Sequence, residues 1–182
     1  MTATKRSGAS IRTKLITLSP RLRRFSNILS GDREGAQALM RDTCQKILDG
    51  ASTFPEGMAF DIWAFGKLHS QWLEQLRSHI NPLSRGQADA SLFEAQGDAH
   101  STRIADILAK LPPQQRSAAL LIYGEGFSYD EAGRILDTTS QNVIARVSRA
   151  LASFVERADW LESAAASRAE VEHLDQTNRQ AG

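Results

Sequence analysis

The sequence predicts an all-α fold of two small helical domains joined by a flexible linker, the second containing a helix-turn-helix. Apolar residues recur at helical spacing along most of the 182 residues, and no stretch shows a convincing β-strand pattern. A polar segment that contains Gly, Pro and Ser interrupts the helical pattern, as a linker would. We expect a disordered basic segment at 1–14 and a first domain at 15–80. The linker is expected at 81–101, the second domain at 102–160 and an acidic tail at 161–182.

Composition indicates a water-soluble protein. An apolar content of 41% permits a packed core, and a charged content of 24% is ordinary for such a chain. The net charge is only +1, yet residues 1–33 carry eight Lys or Arg against one acid, and residues 158–182 carry five acids against two arginines. No apolar run could span a bilayer, and the N-terminus lacks a secretory h-region. Cys44 stands alone, which excludes an internal disulfide, so we expect a cytoplasmic protein without membrane insertion.

Three helices with short loops make up the predicted first domain. The first is expected at about 19–29, with Pro20 in its first turn, where a missing N–H is harmless. The second is expected at about 34–48 and the third at about 60–79, with a loop at 50–57 between them. The residues expected to face the core are Leu22, Phe25, Leu29, Ala36, Leu39, Met40, Thr43, Ile47, Trp63, Phe65, Leu68, Trp72, Leu73 and Leu76.

The second domain is expected to open with two supporting helices, at about 102–111 and 113–124. A capping box follows, because Ser128 and Glu131 stand three residues apart. This pair predicts that the next helix, the first of the helix-turn-helix, starts at Tyr129.

Asp137 and Thr139 mark the turn before the last predicted helix. Asp tolerates the left-handed conformation, and a Thr hydroxyl can accept a bond from the free N–H groups of a new helix. One face of that helix is apolar and is expected to pack inward: Val143, Val147, Ala150, Leu151 and Phe154. The other face carries amide, hydroxyl and guanidinium groups, which suit base edges and phosphates. The expected DNA contacts are Gln141, Asn142, Ala145, Arg146, Ser148 and Arg149.

Periodicity alone would also fit an ordinary helix pair with two solvated arginines. However, SYDEAGRIL, a short turn and VIARVSRAL are similar to the last helices of the extracytoplasmic-function (ECF) sigma factors of bacterial RNA polymerase. The preceding LPPQQRSAALLIYGEGFSYDEAG resembles the opening of the same domain. The resemblance implies a reader of the −35 promoter element, in which Arg146 and Arg149 match family arginines that touch DNA. Where the family often has Gly-Thr and a later Ser, this chain has Gln141, Asn142 and Ala145, so the preferred sequence stays open.

The second predicted helix resembles the ECF helix that binds the polymerase clamp, but it carries substitutions. Gln37 and Ala38 replace an acidic pair and Arg41 replaces a Gln, which weakens complementarity to a basic partner. The contacts with core RNA polymerase implied by the resemblance are Gln37, Leu39, Met40 and Arg41.

The third predicted helix, FDIWAFGKLHSQWLEQLRSH, resembles the ECF helix that holds the non-template strand of the −10 element. His69 and Ser70 replace an Arg-Asn pair, while Lys67, His69 and Arg77 can still supply charge and donors. The implied −10 contacts are Lys67, His69, Ser70 and Arg77. The competing interpretation is that the aromatic residues of this helix are core and His69 is an ordinary surface residue.

The resemblance implies a sigma factor that brings core RNA polymerase to promoter DNA in a stress response under the control of an anti-sigma factor. The segments SPRLRRF and RDTC favour the alphaproteobacterial general-stress-response type. The alternative is a sigma-like decoy that occupies an anti-sigma factor without initiating transcription. The altered second and third helices favour the decoy, while the lack of room for a receiver domain favours the sigma factor. We expect no enzymatic activity, cofactor or metal site, since the four histidines are scattered and no Gly-rich loop follows a strand.

Overall fold

The computed structural model describes residues 3–80 and 107–156, and the predicted linker lies outside these ranges. All regular secondary structure in the described residues is helical. In chain order the helices are α1 (Ala3–Ser30), α2 (Arg33–Asp49), α3 (Phe60–Ile80), α4 (107–110), α5 (Pro113–Ala119), α6 (Tyr129–Ile135) and α7 (140–156). A 3-10 turn at Ala51–Thr53 follows α2, and a π-helical turn at Leu120–Gly124 extends α5. Within this described part of the chain, no helix is long and apolar enough to cross a membrane.

Helix α1 is much longer than the sequence predicts. It begins at Ala3, so the expectation of a disordered segment at 1–14 is wrong from Ala3 onward. The physical reason is an apolar stripe with spacings of four and three, which buries one side of the helix along most of its length. The buried members of the stripe are Ile11, Leu15, Leu18, Leu22, Phe25 and Leu29. Basic and small residues between its first members hide this stripe in the sequence.

Pro20 lies inside α1 and not in its first turn, which corrects the predicted position. A proline inside a helix lacks the N–H group that would bond the carbonyl four residues earlier. Here that carbonyl belongs to Ile16, and the Ser19 hydroxyl donates to it at 2.8 Å. Ser19 therefore satisfies the acceptor that Pro20 leaves open, and the helix continues through the proline.

Helices α2 and α3 confirm the bounds predicted for them to within about two residues, the usual uncertainty of helix ends. Asp32 caps α2, since its carboxylate accepts the N–H of Gly35 at 2.6 Å. The predicted loop at 50–57 is correct except for its 3-10 turn. The predicted core residues of the two helices that are fully buried are Ala36, Leu39, Thr43, Ile47, Trp63, Phe65, Leu68 and Trp72. Those that are only partly buried against the core are Met40, Leu73 and Leu76.

The local rules for the helix-turn-helix are confirmed. Ser128 and Glu131 form both bonds of the capping box, and α6 begins at Tyr129. Asp137 adopts the left-handed conformation, with φ of 49°. The Thr139 hydroxyl accepts the N–H of Asn142 at 3.2 Å and so caps α7.

The turn between α6 and α7 requires a glycine at position 133. A Cβ on Gly133 would lie 2.9 Å from the carbonyl oxygen of Thr138 and 3.3 Å from the amide nitrogen of Ser140. Both neighbours are backbone atoms, which cannot move aside as a flexible side chain would. The N–H of Thr138 also donates to the Gly133 carbonyl at 2.9 Å, so the helix and the turn pack backbone to backbone.

The two helical units, α1–α3 and α4–α7, pack directly against each other. One cluster of buried residues runs from the first unit into the second, so the units share a hydrophobic core. Phe65 of α3 meets Phe127 edge-on, with ring centroids 5.1 Å apart. The Arg21 guanidinium lies over both rings, 5.4 Å and 5.2 Å from their centroids. We call this contact the junction and define it by Arg21, Arg24, Phe65, Glu125 and Phe127. The sequence, read as two domains on a flexible linker, does not predict it.

Candidate DNA and polymerase interface

Helix α7 presents a polar face near its N-terminal end and buries the opposite face. The residues buried as predicted are Val143, Val147 and Ala150. The predicted −35 contacts that are exposed are Gln141, Asn142, Ser148 and Arg149, while Ala145 and Arg146 are half-buried. Exposed amide, hydroxyl and guanidinium groups on one side of a helix can reach base edges and phosphates in a major groove.

Asn142 is partly committed to the turn. Its side-chain amide donates to the Thr138 hydroxyl at 3.1 Å, and its backbone N–H is the one that Thr139 caps. The amide oxygen and the second amide N–H remain available for a base edge, so Asn142 stays a candidate reader with a fixed orientation.

The end of α7 corrects one prediction. Leu151 is 45% exposed rather than inward, and Phe154 is only partly buried. Leu151 recurs on one helix face with Ile144 and Val155, which are also exposed. These three residues form what we call the apolar strip of α7. Helical periodicity places Ile144 and Leu151 beside the buried face, because each directly follows a buried residue, Val143 or Ala150.

Helix α3 directs the predicted −10 residues to two different faces. Lys67, Ser70 and Arg77 recur at spacings of three and seven and form what we call the outer strip. Ser70 and Arg77 are exposed, and the half-buried Lys67 holds its ammonium 5.7 Å from the centroid of the Trp63 ring. The outer strip can therefore meet a nucleic-acid backbone, but His69 is not part of it.

His69 points into the protein on the face of α3 that also carries Phe65, and it is only 6% exposed. Its ring lies 5.8 Å from that of Trp72. Burial, and secondarily the nearby positive charge of Arg146, lowers the pKa of His69 to about 4. His69 is therefore neutral at pH 7. The expectation that it supplies charge to DNA is wrong for this arrangement, and so is its interpretation as a surface residue, because the second unit covers it.

The junction holds a buried carboxylate that the sequence analysis missed. The Glu125 side chain is 2% exposed, and its two oxygens accept from Arg21 and Arg24, each at 2.9 Å. Arg21 also donates to the Glu125 backbone carbonyl at 2.9 Å. A single acid between two glycines in the largely apolar run LLIYGEGF was the available signal, but its partners stand about a hundred residues earlier in the chain.

Arg116 is a second cross-link between the units. Its guanidinium donates to the carbonyl of Leu29 at the end of α1 at 2.9 Å, and to the carbonyl of Leu111 at 3.1 Å. It also donates to the carbonyl of Ala109. Burial lowers the pKa of Arg116, but its ordinary value is so high that the group stays charged. One cation therefore ties the end of α1 to the turn between α4 and α5.

The predicted polymerase contacts on α2 do not share one surface. Leu39 is fully buried in the core and cannot touch a partner here, which corrects its assignment as a contact. Gln37 and Arg41 are exposed, and Met40 is half-buried. Gln37, Met40 and Arg41 line a groove between α1 and α2 of about 1180 Å³. No group of three or more metal-binding side chains occurs among the described residues.

Known proteins share both the fold and the sequence pattern. Residues 101–154 match the family described as "Sigma-70, region 4". The chain is 27% identical over 146 residues to the ECF RNA polymerase sigma factor EcfG of Rhodopseudomonas palustris (strain TIE-1), covering 78% of this chain and 81% of that protein. It is also similar to the sigma factor RpoE of Bartonella quintana, solved in complex with the anti-sigma factor NepR. There the TM-score is 0.73 and the identity 27%, covering 81% of this chain and 95% of that one.

A further likeness concerns the fold alone. The anti-anti-sigma factor PhyR of Bartonella quintana, solved in complex with NepR, matches with a TM-score of 0.57 at 20% identity, covering 80% of this chain and 49% of PhyR. The region 4 match, the two relatives at 27% identity and the outward polar face of α7 agree with one another. This chain is therefore similar to the ECF sigma factors of bacterial RNA polymerase over about four fifths of its length, and its residues 101–154 match sigma-70 region 4.

Proposed function

We propose that this protein directs core RNA polymerase to promoters, with α7 reading the −35 element and the outer strip of α3 contacting the −10 region. The observation that carries the proposal is the asymmetry of α7. Its apolar face is locked into the core, and Gln141, Asn142, Ser148 and Arg149 face solvent. Gln and Asn can pair with adenine, and Arg with guanine or phosphate, so this face is chemically equipped for the major groove.

The structure is a closed arrangement in this proposal, and promoter opening requires the junction to separate. Phe127, Glu125 and their partners hold the second unit against α3, so the inner face of α3 is covered. A flipped base needs a pocket and a chain of single-stranded DNA needs a charged path, neither of which a covered helix face offers. Separation would expose His69 and move it away from the positive charge of Arg146.

An anti-sigma factor is the regulator we propose, in a stress response in the cytoplasm. Two relatives support this, since the solved RpoE and PhyR chains were each found in complex with the anti-sigma factor NepR. The apolar strip of α7 is exposed beside the DNA-reading face, and exposed apolar residues grouped on one helix face are typical of protein-contact surfaces. No catalytic role is part of the proposal.

The alternative function is the sigma-like decoy, and a specific observation favours it. The groove between α1 and α2 is lined by arginines where a basic polymerase clamp would call for acids. A decoy needs the sigma shape but not polymerase contact. This observation keeps the alternative open to experiment.

Run-off transcription separates the two functions. Core RNA polymerase and this protein should produce discrete transcripts from a panel of stress promoters. Arg149→Ala should reduce them strongly, while Arg12→Ala, an exposed arginine on α1, serves as the matched control and should not. Absence of any transcript, together with failure to co-elute with core polymerase and tight binding to an anti-sigma factor, would establish the decoy instead.

A further inference from the structure

The groove between α1 and α2 combines an apolar floor with a cationic rim. Its lining includes Arg24, which pairs with Glu125, and one carboxylate, Asp32, which accepts the N–H of Gly35. Pro20, Ile28 and Met40 contribute apolar surface, and Arg23, Arg33 and Arg41 contribute three further guanidinium groups. All three arginines are exposed. Within the described residues none of the three has a carboxylate within salt-bridge distance, because the ion pairs found there involve other cations.

Such a groove fits a segment that is both apolar and acidic. Apolar side chains would cover the floor, and carboxylates would meet the three guanidinium groups, which bind carboxylates well in bidentate geometry. A basic partner would instead bring like charges together, which costs affinity.

The sequence of this chain contains a segment of that kind at 158–182, outside the described residues. It carries five acids against two arginines. Trp160, Ala164, Val171 and Leu174 recur at helical spacing, and Glu170 and Asp175 fall on either side of that apolar line. An acidic amphipathic pattern is therefore present in the same polypeptide as the basic groove.

A series of contacts links α7 to the end of α1, which lines the groove. Ala150 of α7 packs with Leu111, whose carbonyl accepts from Arg116, and Arg116 also donates to the carbonyl of Leu29. Leu29 follows Ile28, which lines the groove. The chain continues for 26 residues beyond residue 156. An extended chain spans up to about 3.3–3.6 Å per residue, so this length can bridge several tens of Å.

We propose that the acidic segment 158–182 docks in the groove between α1 and α2 and covers part of the polymerase-binding surface. The proposal rests on the proposed function, since Gln37, Met40 and Arg41 belong both to this groove and to the predicted polymerase contacts. The tail acts as an internal competitor that polymerase must displace. The groove carries arginines where a surface that binds the basic clamp would carry acids. In this proposal those arginines bind the acidic tail.

Paramagnetic relaxation in the full-length protein tests docking without any polymerase. A nitroxide is attached at Glu172→Cys in a Cys44→Ser background, and amide signals are followed by NMR. Signals from the groove, Ala36 and Met40 among them, should broaden. The broadening should disappear in a triple variant that combines Arg23→Gln, Arg33→Gln and Arg41→Gln. All three changes lie at exposed positions and leave the core intact. A nitroxide at Tyr129→Cys is the control for nonspecific broadening.

Three outcomes would overturn the proposal. Groove signals that stay sharp would show that the tail does not dock there. Broadening that survives the three arginine changes would show a contact of another kind. The third outcome uses a mixture of two proteins, one with the nitroxide but no isotope label, and one with the isotope label but no nitroxide. Broadening in this mixture would show that a second copy supplies the segment.

Affinity for core polymerase gives the functional arm. The tail variant Glu170→Gln, Glu172→Gln, Asp175→Asn should bind core polymerase several-fold more tightly than the parent, and unchanged affinity would refute competition. The two proposals fail separately. If no relaxation effect is seen, docking of the tail is refuted, but the transcription assay still tests the proposed function. If no transcript is seen, the proposed function is refuted, but the relaxation measurement still tests docking.

Discussion

The two helices expected to meet promoter DNA, α7 and α3, are built differently. Helix α7 buries one face and leaves the other free, so its reading residues are exposed in the closed arrangement. Helix α3 is covered on two sides, by the other helices of the first unit and by the second unit. Of its predicted −10 residues, Ser70 and Arg77 are exposed and Lys67 is half-buried, while His69 is buried. If the proposed function holds, α7 can meet the −35 element before the units separate, whereas the inner face of α3 becomes available only after separation. Exposure, rather than residue type, divides the two surfaces.

Removing an aromatic ring from the junction should have the largest effect, because the junction is what covers the inner face of α3. Phe127→Ala deletes a buried ring that packs on Phe65 and Arg21, and we expect a loss of about 3–5 kcal/mol in the free energy of unfolding. Urea denaturation followed by circular dichroism measures it. Tyr123→Ala is the matched control, since Tyr123 is 62% exposed in the same unit and should cost about 0.5 kcal/mol or less. Equal effects of the two changes would mean that the junction is not a stabilising contact.

Acid should lower the free energy of unfolding through the buried His69 on the covered face of α3. The pKa of His69 is about 4 in the folded protein against 6.5 for the free side chain, because burial, and secondarily Arg146, disfavours its charged form. Between these values the unfolded chain holds a proton that the folded chain lacks. The free energy of unfolding should therefore fall by about 1.4 kcal/mol per pH unit as the pH drops from 6.5 toward 4.

Melting experiments from pH 7 to pH 4.5 on the parent and on His69→Gln measure this term. Other groups titrate in the same range, so the informative quantity is the difference between the two proteins. The variant should lose less stability than the parent on acidification. Parallel curves would show that His69 is not buried in solution.

The exposed face of α7 should carry most of the DNA affinity. Arg146→Ala and Arg149→Ala should each cost about 1–3 kcal/mol on the preferred sequence if they read a guanine. If they bind phosphates instead, each should weaken binding to all sequences and reduce the salt dependence by about 0.9 ion per contact. Changes at Gln141 and Asn142 should alter which sequence is preferred and leave nonspecific binding nearly intact.

Anisotropy titrations at several salt concentrations separate these cases, with helical content and melting checked for every variant. A double Arg146→Ala, Arg149→Ala variant that binds like the parent would show that α7 is not the DNA reader. Because Arg146 is half-buried and lies near the buried His69, we expect its effect to be the smaller of the two.

Two glycines sharpen the contrast between α6, which leads into the DNA-reading helix, and α3. Gly133→Ala should destabilise by about 1–3 kcal/mol, since its methyl group would meet fixed backbone atoms. Gly66→Ala on α3 meets nothing nearer than the Ile135 carbonyl oxygen at 3.7 Å, an ordinary contact. It should stabilise the helix by about 0.5–1 kcal/mol. Thermal melts of the two variants should move in opposite directions, and a shift of the same sign would contradict the packing described here.

The second unit was largely predictable because short-range rules govern it. The capping box, the left-handed Asp137 and the Thr139 cap all depend on residues a few positions apart. The polar face of α7 followed from helical periodicity in the same way. Leu151 was misplaced and Phe154 is only partly buried, because periodicity cannot show how wide the buried face of a helix is.

The junction was not predictable from such rules. Arg21 and Glu125 are 104 residues apart, and nothing near either of them indicates the other. The burial of His69 and the half-burial of Arg146 are likewise properties of the folded arrangement that no short-range rule predicts. The long first helix is an intermediate case, since its apolar stripe is present in the sequence but polar and basic residues interrupt it. The sequence therefore identified candidate site residues by their chemical type. Which of them are exposed to solvent could be learned only from the structure.

The account rests most heavily on the claim that the junction is a closed state that separates when polymerase and promoter bind. Electron–electron distance measurement tests it, with nitroxides at Ser78→Cys on α3 and Gln114→Cys on α5, both exposed positions, in a Cys44→Ser background. The free protein should give one narrow distribution at the separation of the closed structure. Addition of core polymerase and promoter DNA should move that distribution to longer distances. A distribution that stays unchanged in a transcribing complex would contradict the claim.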